Sequence, residues 1–121
     1  MEIKYRMDIL KEVGQISLDS YEKVEKIINH FLSKHLIEIN ETNGAMLITH
    51  LCIALSRMEK GEKINRIEEE MFEEVRKNRF FAKAQEAMNE INMILGSEMP
   101  IEESGYMMMH LCVLFEKTIQ E

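Results

Sequence analysis

Proline is almost absent. Pro100 is the only one in 121 residues, and there are just five glycines. A chain so poor in both is neither collagen-like nor a Pro/Gly-rich linker, and its long uninterrupted stretches favour helices. Tryptophan is missing altogether. The two cysteines, Cys52 and Cys112, are spaced like neither a zinc site nor a redox pair. Both lie in apolar helical patterns and read as reduced core thiols. No apolar run approaches the roughly 18–20 residues of a membrane span. The segment from Met1 to Lys11 mixes both charges around no apolar centre, which excludes a signal peptide, and the expected compartment is the cytoplasm. Basic residues are outnumbered, 15 against 22 acidic, for a net charge of −7. That excess repels phosphate backbones and argues against direct nucleic-acid binding.

What the chain does have is a globular balance, 45% hydrophobic and 31% charged, in a length that suits one domain. Eleven methionines suggest an adaptable interior. Residues 1–13 read as an N-terminal arm or short helix, broken at Gly14, ahead of a helical domain over 14–118. Asp19 with Glu22 has the form of a capping box. Tyr21, Val24, Ile27, Ile28, Phe31 and Leu32 then recur at helical spacing to about Leu36. Residues 38–43 are polar, and Asn43-Gly44 reads as a turn. Leu47, Leu51, Ala54, Leu55 and Met58 line a second helix that Gly61 stops.

Ile64, Ile67, Met71, Phe72 and Val75 predict a third helix. Its outer side is acidic (Glu68, Glu69, Glu70, Glu73, Glu74), either a solvated face or an electrostatic docking surface. Asn78 punctuates the chain. Phe80, Phe81, Ala84, Ala87, Met88, Ile91 and Leu95 mark a fourth helix ended by Gly96. Pro100 leads into a fifth, with Glu102 and Glu103 in its first turn and Tyr106, Met109, Val113 and Leu114 as apolar positions. The expectation is an all-α bundle of about five helices.

Four histidines carry the chemistry. His30 and His35 fall near the C-terminus of a long helix, where a cationic imidazole is favoured by the dipole. His50 and His110 each sit in an apolar helical stretch followed by Leu-Cys, in Thr49-His50-Leu51-Cys52-Ile53-Ala54-Leu55 and Met109-His110-Leu111-Cys112-Val113-Leu114-Phe115. Seven residues is close to two helical turns, so Arg57 lies on nearly the face of His50, and Glu103 on that of His110. A neutral imidazole is nucleophilic near pH 7, an Arg can stabilise a transferring phosphoryl group, and a Glu can fix a tautomer. Phosphoryl acceptance is one reading. Satisfied core histidines and a His/Glu metal site are the others. No glycine-rich phosphate cradle is present, so any phosphoryl group comes from an already activated carrier. Within one helix, His50 and Cys52, or His110 and Cys112, point about 200° apart and form no nucleophile–base pair.

As a pair, the two stretches resemble a known family. Met46-Leu47-Ile48-Thr49-His50 through Arg57-Met58-Glu59-Lys60-Gly61 is similar to the first histidine segment of the PTS regulation domain (PRD). Pro100-Ile101-Glu102-Glu103-Ser104-Gly105-Tyr106-Met107-Met108-Met109-His110 is similar to the second. The likeness runs from about Gly14 to Lys117. Thr49 stands where many members have Asp, and Val113 where many have Asn. The resemblance implies a five-helix bundle that forms homodimers, a regulatory module of bacterial transcription regulators and antiterminators. His50 and His110 would be the phosphoacceptors, with Arg57 and Glu103 supporting them. The phosphocarrier HPr or a sugar-specific enzyme II component would be the donor. Without room for an output module, the chain would act as a stand-alone PRD through a transcription regulator as output partner, neither an enzyme nor a nucleic-acid or membrane binder, and with no cofactor. The rival expectation is a structural, dimerising or helix-binding domain in which Met107, Met108 and Met109 form a docking surface.

Overall fold

Three glycines with positive φ (Gly14, Gly61 and Gly96) each follow a helical run, and the chain is built of the segments between such breaks. The computed structural model describes residues 2–119, and among these every regular element is an α-helix. In order they are α1 (Ile3–Glu12), α2 (Leu18–His35), α3 (Glu41–Lys60), α4 (Glu69–Arg76), α5 (Phe81–Leu95) and α6 (Ile101–Thr118). The all-α expectation holds. The count is six rather than about five because the N-terminal arm is itself a ten-residue helix; residue 1 of that arm lies outside the described residues. None of the helices is long and apolar enough to cross a membrane.

The chain divides into two units, Met1–Glu62 and Lys63–Glu121, each with three helices. In the first, α1 packs on α2 and α3, and α2 packs on α3. Met7 of α1, Tyr21, Val24, Ile27 and Phe31 of α2, and Leu47, Ile48, Leu51 and Leu55 of α3 are buried. Each fully buried aliphatic side chain contributes about 2 kcal/mol at roughly 25 cal/mol per Å2. Leu32, expected on the apolar face of α2, is half exposed instead, since the buried stripe runs through Ile27 and Phe31.

Two helix starts differ from the sequence expectation. Ser17, not Asp19, caps α2: its hydroxyl accepts from the Ser20 amide at 3.1 Å. Asn43-Gly44 is not a turn but lies in the first turn of α3. Asn40 accepts from the amides of Thr42 and Asn43, and the Asn43 side chain accepts from the Asn40 amide at 2.8 Å. This reciprocal capping box satisfies donors that a helix start leaves open, which outweighs the turn preference of Asn-Gly. At the other end of α2, Leu36 adopts φ 57°, an unusual left-handed leucine, as the Ile37 amide reaches back to the Phe31 carbonyl at 3.1 Å.

In the second unit α4 and α5 both pack on α6. Val75, Phe80, Ala84, Ala87, Met88, Ile91, Met107, Met108, Leu111, Leu114 and Phe115 are buried. Met107 and Met108 are therefore core rather than docking surface, while Val113, expected inside, is 41% exposed. The predicted third helix is shorter than its apolar pattern: residues 62–68 are non-helical, and Ile64 and Ile67 lie on this strap. Ile67 is set against α6 at Gly105, where an added Cβ would meet its Cγ2 at 2.5 Å. Packing on a residue 38 positions away decides its conformation, not local periodicity.

Candidate functional site

α3 presents His50 as its tenth residue, flanked by buried Leu47, Ile48, Leu51 and Cys52. The imidazole is half-buried, and its Nε2 atom is buried. Arg57 is half-buried on the same helix, about 10 Å farther along the axis and nearly on the same face. α6 repeats the arrangement. His110 is its tenth residue and half-buried, and Glu103, one helical face with it and two turns before, is 2% exposed. A glutamate is seldom so deeply buried, which sets Glu103 apart from the other acidic residues among those described.

The correspondence of the two helices is positional and exceeds the three identical residues. α3 and α6 begin 60 residues apart. The buried positions pair as Leu47 with Met107, Ile48 with Met108, Leu51 with Leu111, Cys52 with Cys112, Ala54 with Leu114 and Leu55 with Phe115. Ile53 and Val113 are both exposed. Each three-helix unit thus ends in a helix that carries one partly accessible imidazole at the same place.

Both thiols are free and buried. Burial pushes the Cys52 thiol up to about 11, and burial with the nearby Glu116 carboxylate does the same for Cys112. Thiols that stay protonated at neutral pH are poor nucleophiles. His30 and His35 stand at the end of α2 with ring centroids 6.0 Å apart, and His35 lies 5.1 Å from the Phe31 ring.

Sequence reasoning missed the polar ties that hold α3. Arg6 of α1 donates through Nε to Glu41 Oε1 at 3.0 Å and through Nη1 to Thr49 Oγ1 at 3.3 Å. Its Nη2 also pairs with the Glu41 carboxylate. The hydrogen bond from Arg6 holds the Glu41 carboxyl below the usual carboxylate range. At the other end, Ser17, which caps α2, and Ser20 both donate to Glu59, which lowers that carboxyl as well. No local signal marks contacts across 35 to 43 residues.

Comparison with known proteins agrees with this architecture. Residues 25–112 match the family model described as PRD domain, a span that includes His50, Arg57, Glu103 and His110. A protein of Escherichia coli named Uncharacterized protein YhfY is 24% identical over 120 residues, which cover 96% of this chain and 97% of that protein. No solved structure matches the chain.

Proposed function

The chain belongs to the PRD domain family, and from that premise we propose that it is a histidine-phosphorylatable regulatory module of sugar phosphotransferase signalling. The observation that carries the reading is the doubled site: two half-buried imidazoles at the same position of α3 and α6, each with a charged residue two turns away. The family is a regulatory one, and both thiols are poorly suited to nucleophilic catalysis.

In the proposed step an imidazole nitrogen of His50 or His110 attacks the phosphorus of a phosphorylated carrier, the phosphocarrier HPr or an enzyme II component. One N–P bond forms as the carrier's bond to phosphorus breaks, and the phosphoryl group moves intact. The accepting nitrogen must be unprotonated, as in the neutral imidazole. Nε2 of His50 is buried, so a docked carrier meets this ring at Nδ1, or at Nε2 after the ring turns. Arg57 supplies positive charge to the transferred group and Glu103 orients the His110 ring. Each phosphoryl group adds up to about two negative charges beside apolar packing and biases a homodimer or an output partner, a transcription regulator in the cytoplasm.

Incubation with enzyme I, phosphoenolpyruvate and HPr, or with enzyme II components, tests this. Acid-labile label is expected on the protein, with His50→Ala and His110→Ala each removing one site. Failure of every donor to label either histidine overturns the reading. A second reading, a dimerising or helix-binding module without phosphorylation, draws on a cleft of 310 Å3 in the second unit. Exposed Met71 and Val113 help to line it, with Glu74 and Glu116 beside them. Regulation that survives the double variant His50→Ala, His110→Ala favours that reading.

A further inference from the structure

Arg6 lies outside residues 25–112, the span that matches the family model. One guanidinium spans two features of α3. Nε and Nη2 hold the carboxylate of Glu41, the first residue of the helix, and Nη1 reaches the hydroxyl of Thr49, which directly precedes His50. The two ties are unequal. The first is charge-assisted and shared between two nitrogens. The second, to a neutral hydroxyl at 3.3 Å, is at the long end of the hydrogen-bond range. One arm of the cation is thus weakly engaged at the residue that precedes His50. The side chain is about one-third exposed, which leaves it room to turn.

We propose that Arg6 is the residue that reads the phosphorylation state of His50: when the imidazole carries a phosphoryl group, the guanidinium leaves Thr49 and Glu41 for the phosphoryl oxygens. The inference rests on His50 being able to accept that group. The driving force is charge. A phosphoryl group carries about −1.5 to −2 against −1 for the Glu41 carboxylate, and its oxygens suit the planar fork of Arg. Thr49 matters because it is neutral; an aspartate there would compete with the phosphoryl group for the same cation. The consequence is structural. α1 is tied to Glu41 and Thr49 of α3 in the unmodified protein and to the phosphoryl group on His50 in the modified one, so the modification is felt by a helix that lies before the matched span.

The test uses the full chain with His30→Gln, His35→Gln and His110→Gln, so that His50 is the one imidazole left, phosphorylated with potassium phosphoramidate so that no protein donor is needed. Both forms are followed by NMR between about pH 6 and 9, where phosphohistidine persists, through the Arg6 Nε–H signal, the Glu41 carboxylate carbon and the phosphorus. Phosphorylation is expected to move the Arg6 and Glu41 signals. Arg6→Gln is expected to abolish the Glu41 change and to raise the phosphohistidine midpoint, and Arg6→Lys, which keeps the charge without the fork, to raise it less. Arg6 and Glu41 signals unchanged by full phosphorylation of His50 overturn the inference, as does a His50 ring that phosphoramidate cannot modify in the folded protein. Labelling by phosphoramidate but by no carrier protein, with the Arg6 and Glu41 changes intact, instead overturns the proposed signalling role and leaves the Arg6 switch standing.

Discussion

Tyr21 shows how a single polar contact is made to count inside an apolar stripe. Its ring is buried in α2, Lys11 lies 4.4 Å from the ring centroid, and its hydroxyl donates to Asp8 Oδ1 at 2.5 Å. That hydrogen bond, helped by burial, pushes the phenol up to about 12 from its usual 10. A group whose pKa is raised by folding contributes fully below its unfolded pKa, and the contribution fades as pH rises through the folded value. The window here is therefore about pH 10 to 12. Tyr21→Phe keeps the ring and its Lys11 contact but removes the donor. The expected cost is about 1.5 kcal/mol at pH 7. Chemical denaturation of both proteins across pH 7 to 12 checks it: the difference should shrink to nothing at the alkaline end. A gap that persists at high pH would assign the effect to packing.

Between elements, the strap of residues 62–68 is the part that periodicity misread, and Gly105 explains why. Ile64 and Ile67 sit at helical spacing with Met71 and Phe72, yet helix α4 starts only at Glu69. Gly61 ends α3 in a left-handed conformation, and Ile67 then settles on the bare backbone of α6. Nothing within a local window reveals a glycine 38 residues on as the reason. By contrast α2, α5 and α6 were legible, since their stripes and stops are local: Gly96 ends α5 and Pro100 precedes α6 as read. His50 and His110 were legible as candidates because motif and period travel together in sequence, whereas Arg6 joins Thr49 only through the fold. The Gly105 contact makes a direct prediction. In Gly105→Ala the new Cβ would sit 2.5 Å from Ile67 Cγ2, a methyl close to the backbone that cannot simply swing away. A loss of about 1–3 kcal/mol is expected from overpacking, despite the gain in helix propensity. Ile67→Ala in the same chain should return most of it, measured as melting temperatures of the two single variants and the double variant. A double variant no better than Gly105→Ala would mean the strap is not held by this contact.

At the scale of the whole chain, the final helices of the two three-helix units share a burial pattern and the position of a histidine but differ at most of the residues around it. Both matched helices place a cation seven residues after the ring, Arg57 after His50 and Lys117 after His110, whereas Glu103 before His110 corresponds to the neutral Asn43 before His50. Net charge decides a further point. The chain starts at −7, and each phosphoryl group contributes up to about two further negative charges. The electrostatic term that drives non-specific nucleic-acid binding is thus unfavourable before modification and more so after it. The expected outcome is no binding of fluorescein-labelled duplex DNA or single-stranded RNA at physiological salt up to about 100 µM protein, the weak end of the range for non-specific contacts. Fluorescence anisotropy against protein concentration, at two salt concentrations, checks this. Saturable binding that weakens steeply with salt would reveal a basic surface strong enough to overcome the acidic excess, and with it a direct nucleic-acid output that the charge argument excludes.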